Sequence, residues 1–137
     1  QTKDRLAVVS FYIDGLQYNL GVKLLNDYFG IQTRGGCSCA GTYGHYLLHI
    51  PQDVSKKITE KIDHGDMSEK PGWIRLSIHP VMTNEEVKYI VHALQEVVTN
   101  FEKWKEGYSY NPHTNEYCHN NFDSKNSSPI QNWMKMD

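Results

Sequence analysis

Cysteine is scarce in this chain: there are three in 137 residues, an odd number, and two of them, Cys37 and Cys39, are separated by one residue. That is poor material for a disulfide framework, so the composition points to a reducing, cytoplasmic setting. No apolar run approaches the roughly 20 residues that a membrane span needs, and no membrane partner is expected. Neither sign of charge dominates either. Lys and Arg total 14 against 16 Asp and Glu, 14 − 16 = −2, and the basic residues are scattered. No contiguous positive face for a phosphate backbone is foreseen, which argues against nucleic acid. The chain opens Gln1-Thr2-Lys3-Asp4-Arg5 without an initiator Met or a signal-peptide apolar region, and reads as a piece of something longer.

What is present fits a single globular domain, with 39% hydrophobic and 22% charged residues. Leu6 to Ile13, rich in β-branched and aromatic residues and ended by Asp14-Gly15, predicts a strand buried on both faces. Leu20, Leu24, Leu25, Tyr28 and Phe29 recur at helical spacing over residues 17–29, and Gly30 supplies a left-handed stop. Residues 34–44 hold four glycines and predict a tight loop rather than regular structure. Residues 52–63 are weakly helical, and 64–72 form a polar connection.

Trp73 to His79 alternates, with Ile74, Leu76 and Ile78 on one side and Trp73, Arg75, Ser77 and His79 on the other. After Pro80, Thr83 and Glu86 form a capping box opening a helix whose stripe is Val87, Ile90, Val91, Leu94, Val97, Val98 and Phe101. From Tyr108 the composition turns to Asn, Ser, His and Lys, so 1–107 is read as the domain and 108–137 as a polar tail packing through Tyr110, Tyr117, Phe122 and Trp133. The order of elements predicts an α+β fold: a small, mainly antiparallel sheet covered by helices on one face.

Chemistry concentrates around Cys39. A thiol reacts as its thiolate, and Arg34 with glycine-freed backbone donors would favour that form; the alternative is that the cysteines are small apolar fillers. A competing reading takes Cys37, Cys39, His45 and His49 as zinc ligands of a stand-alone binding or interaction module, with the two histidines sharing a helix face. Structural zinc sites usually space their cysteines two to four residues apart, which weighs against it. Arg75, on the polar side of a strand, suits a two-pronged carboxylate clamp, or belongs to a solvated sheet face.

At these residues the chain resembles the cysteine desulfurase and selenocysteine lyase group of the class V aminotransferases, pyridoxal-phosphate (PLP) enzymes of fold type I. Gly30-Ile31-Gln32-Thr33-Arg34-Gly35-Gly36-Cys37-Ser38-Cys39-Ala40 matches the small-domain segment Gly-Ile-x-x-Arg-x-Gly-x-x-Cys-Ala. Arg75-Leu76-Ser77 and Thr83-Asn84-Glu85-Glu86 match its Arg-x-Ser strand and the polar turn opening its last helix. The likeness covers residues 5–105 in outline and implies the C-terminal small domain of a transferase or lyase, a homodimer when complete. It implies that Cys39 attacks the sulfur of a cofactor-held cysteine, leaving a persulfide, while Arg75 binds the substrate carboxylate. Arg34 would assist with the carboxylate or tune the thiol.

The cofactor lysine, its partner aspartate and its stacking histidine belong to the family's large domain, so this chain alone is expected to bind no PLP and to be inert in PLP chemistry. Cys37 and Gly41-Thr42-Tyr43-Gly44 depart from characterised desulfurases, which leaves a class V aminotransferase or other PLP enzyme with a different amino-acid substrate as the alternative.

Overall fold

The computed structural model describes residues 7–37 and 41–121, with the side chains of all but 41 and 42. The first unit is a three-stranded antiparallel sheet in the order β1 (Val8–Phe11), β3 (Trp73–Ser77), β2 (Arg34–Gly36). Between these strands the chain forms α1 (Tyr18–Phe29), α2 (Gly41–Leu47) and α3 (Gln52–Asp63). It then continues into α4 (Asn84–Trp104), a short 3-10 turn, and a hairpin of β4 (Tyr108–Asn111) and β5 (Glu116–His119). The protein is a mixed α/β structure with a small antiparallel sheet, and no helix among the described residues is long and apolar enough to cross a membrane.

α1 begins where the Gln17 side chain accepts hydrogen bonds from the Asn19 and Leu20 backbone N–H groups, at 2.7 and 3.2 Å. It ends at Gly30, whose φ of 67° lies in the left-handed region and turns the chain so that the following Ile31 N–H reaches back to the Leu25 carbonyl. α4 carries the expected capping box: Thr83 Oγ1 accepts from the Glu86 N–H, and Glu86 Oε2 accepts from the Thr83 N–H. Such a cap contributes about 1 kcal/mol.

The core lies between the sheet, α1 and α4, with Leu24, Leu25, Ile74 and Val97 fully enclosed. Two glycines let α1 come this close. A Cβ on Gly21 would stand 2.5 Å from Ile74 Cδ1, and one on Gly35 would stand 2.9 Å from the Tyr18 ring. In α4 the buried line is Ile90, Ala93 and Val97, with Leu94 and Phe101 packed beside it, while Val91 and Val98 of the predicted stripe sit at the exposed shoulder.

Three expectations are corrected. The apolar first strand is not buried on both faces: β1 is a sheet edge, and Val8 and Val9 are about two-fifths exposed. The glycine-rich stretch is not all irregular, since Arg34–Gly36 pairs with β3 and a short helix starts at Gly41. His45 lies in α2, but His49 falls beyond the helix with φ 52°, so the two histidines do not share a helix face.

The start of the polar tail packs through Tyr110 and Tyr117, as expected. Residues 108–119 form a hairpin against α1, in which Tyr110 and Tyr117 pair at 4.7 Å between ring centroids. Phe122 and Trp133 lie outside the described residues. The hairpin is pinned by Asn115, buried at its turn with φ 57°. Its Oδ1 accepts from Gln17 Nε2 and Tyr110 OH, its Nδ2 donates to Tyr18 OH at 2.7 Å, and its carbonyl accepts from Asn19 Nδ2.

Candidate functional site

β3 is the central strand, and its pleat sorts its side chains. Ile74 and Leu76 face the core, so Trp73, Arg75 and Ser77 project from the opposite face. On that face Arg75 stands directly opposite Arg34 on one side and Ser10 on the other. Residues paired this way hold their Cβ atoms about 5 Å apart, which puts both arginines within reach of one ligand on this face.

Neither guanidinium has an ion-pair or hydrogen-bond partner among the described residues. Like charges directly opposite each other destabilise a sheet, so attraction across the strands does not account for this pair. An anion held between the two groups would remove the repulsion. α2 marks one end of the row: a Cβ on its Gly44 would lie 3.4 Å from the Trp73 ring and 3.2 Å from Cys37 Sγ.

Around the edge of β2, Arg34 also reaches a cleft of about 500 Å³. Gly36, Cys37, His45, Lys70 and Tyr18 are among the residues that line it, and among the described residues no Asp or Glu does. Cys37 is buried, and its S–H donates to the Pro71 carbonyl at 2.6 Å. Burial pushes its thiol pKa up, against a smaller opposing pull from the Lys70 ammonium. Burial thus favours the protonated thiol over the thiolate that a nucleophile requires.

Cys39 lies outside the described residues. Of the other proposed zinc ligands, Cys37 and His45 line the same cleft, whereas His49 is not among its lining residues. Among the described residues no group of three or more His, Cys, Asp and Glu side chains could hold a metal ion. The structure thus brings Arg34 to Arg75 and Cys37 to His45.

It also adds residues that sequence reasoning passed over. Lys70 sat in a stretch read only as polar connection, and Tyr18 and Asn115 carried no pattern of their own. Compared with known proteins, the chain matches no family model, no curated protein and no solved structure.

Proposed function

We propose that the chain serves as the substrate-facing small domain of a fold-type I PLP enzyme similar to the class V aminotransferases and cysteine desulfurases. Its role is to clamp the carboxylate of an amino-acid substrate. The observation that carries this reading is the directly opposed pair of Arg34 and Arg75 on the sheet face away from the core, which no acid among the described residues compensates. A planar guanidinium offers two parallel N–H donors to a carboxylate, and a second cation across the strand pair adds charge without demanding a fixed geometry. The rigidity of the central strand keeps Arg75 in place.

The cofactor itself would be held by residues elsewhere in the enzyme. PLP needs a lysine for its Schiff base and a charged partner for the pyridine nitrogen. Among the described residues no carboxylate lines the cleft beside Arg34 to serve as that partner, so those residues do not fit the cofactor. In this reading Cys39, five residues after Arg34, supplies the thiol that takes up sulfur.

Titration of the full chain with L-cysteine and with cysteamine, its analogue without the carboxylate, tests the proposal. The side-chain Nε–H signals of Arg34 and Arg75 should shift with L-cysteine and not with cysteamine. Arg75→Lys keeps the charge but loses the fork, at a cost of about 1.5 to 3 kcal/mol, or roughly ten- to a hundredfold in affinity. Equal responses to the two compounds, or an unchanged affinity in Arg75→Lys, would refute the clamp.

A further inference from the structure

The cleft on the far side of Arg34 has a chemistry of its own. Three cationic or donor side chains reach it from separate elements: Arg34 from β2, His45 from α2, and Lys70 from the segment before β3. Lys70 follows Glu69 in sequence, but that carboxylate is engaged by Lys61, which leaves the Lys70 ammonium without an ion-pair partner among the described residues. His45 Nδ1 meets Ser55 Oγ, and the Nε2 of the ring has no partner among them.

A fourth donor is buried. Tyr18 is only 7% exposed and lines the cleft, and its hydroxyl oxygen accepts from Asn115 Nδ2. The hydroxyl's own proton has no acceptor among the described residues. Burial raises the Tyr18 pKa, so the proton stays on and remains available for donation. A buried donor without an acceptor costs stability unless a ligand supplies one. With no carboxylate among the described lining residues, none of them competes for these donors as a charged acceptor.

We infer that this cleft is a second anion subsite, which takes the phosphate or carboxylate group of a small molecule against Lys70, Arg34, Tyr18 and His45. A space of about 500 Å³ is within the range of small-ligand pockets. Lys70 acts as a mobile point charge, and Tyr18, fixed through Asn115, as a directional donor. The inference goes beyond the carboxylate clamp. Arg34 is common to both, but Lys70, Tyr18 and His45 have no part in the clamp and Arg75 has none in the subsite.

The test is titration of the full chain with inorganic phosphate and with acetate at fixed ionic strength, followed through the backbone amide signals of Gly36, Cys37 and Lys70, with sodium chloride as the control. Saturable shifts with phosphate alone identify a phosphate ligand, and with acetate alone a carboxylate; either supports the subsite. Lys70→Gln should weaken the binding about tenfold, while Lys70→Arg should retain it. Arg75→Lys should leave it unchanged even where the response to L-cysteine is lost, so the two readings fail separately. Shifts that chloride reproduces, or binding that Lys70→Gln leaves intact, would overturn the subsite.

Discussion

The two faces of β3 are built from alternate residues of one five-residue strand, yet they follow opposite rules. On the core side, Ile74 and Leu76 are buried, and Ile74 packs so tightly on α1 that Gly21 is required by its approach. On the other side, Arg75 and Arg34 oppose each other with like charge and no compensating acid among the described residues. One face optimises packing. The other retains an arrangement that packing alone would reject, which is the mark expected where binding rather than folding sets the residues.

The largest effect expected from breaking this division comes from Ile74→Ala. The side chain is 1% exposed, so its truncation leaves a cavity that α1 cannot easily fill, at a cost of about 2 to 5 kcal/mol. Urea unfolding should show that loss, while the folded fraction keeps its response to L-cysteine. If carboxylate binding disappeared while the fold persisted, the two faces would not be independent.

Asn115→Ala should cost less, about 1 to 3 kcal/mol, because it strips Gln17, Tyr18 and Tyr110 of a shared partner. Alanine at φ 57° adds backbone strain, so Asn115→Gly separates the side-chain loss from that strain. Faster amide exchange across β4 and β5 would accompany it. An unchanged unfolding curve would show that the hairpin is held by other contacts.

How much of this was legible in the sequence depended on how local the determining physics is. The capping box of Thr83 and Glu86, the glycine stop at Gly30 and the alternation of β3 all depend on neighbours within a few residues, and each lies where its pattern put it. The exposure of β1 did not show, because an apolar run reads the same whether the strand lands at the centre or the edge of a sheet; the order of strands decides it. β2 escaped notice because three residues, two of them glycine, are too short for periodicity. The hairpin did leave a trace: Tyr108 and Tyr110 alternate with polar residues, as do Tyr117 and His119, across a turn containing Pro112.

At the candidate site, Arg34 and Arg75 were legible as residue types in the right company, but their direct opposition is a matter of strand register that spacing cannot supply. Lys70 and Tyr18 were invisible for the same reason. A lone lysine in a polar stretch and a tyrosine opening a helix acquire meaning only when the fold points them at a common space.

The smallest effect is the most discriminating, because its sign separates the two accounts of the outer face. Arg34→Thr removes one of two like charges from a directly opposed pair and puts a β-branched residue into a strand. If the arginines were ordinary surface residues, the change would matter little to anything. If they are retained for binding, the variant should be more stable by about 0.2 to 1 kcal/mol and bind L-cysteine more weakly. Because the gain comes from relieving repulsion between exposed and half-exposed charges, it should shrink as salt is raised toward 1 M, where the screening length falls to about 3 Å. Thermal unfolding at low and high salt, paired with the L-cysteine titration, measures both quantities on the same protein. Lower stability together with undiminished binding would mean that Arg34 holds the sheet together rather than the substrate, and that the outer face obeys the same rule as the core.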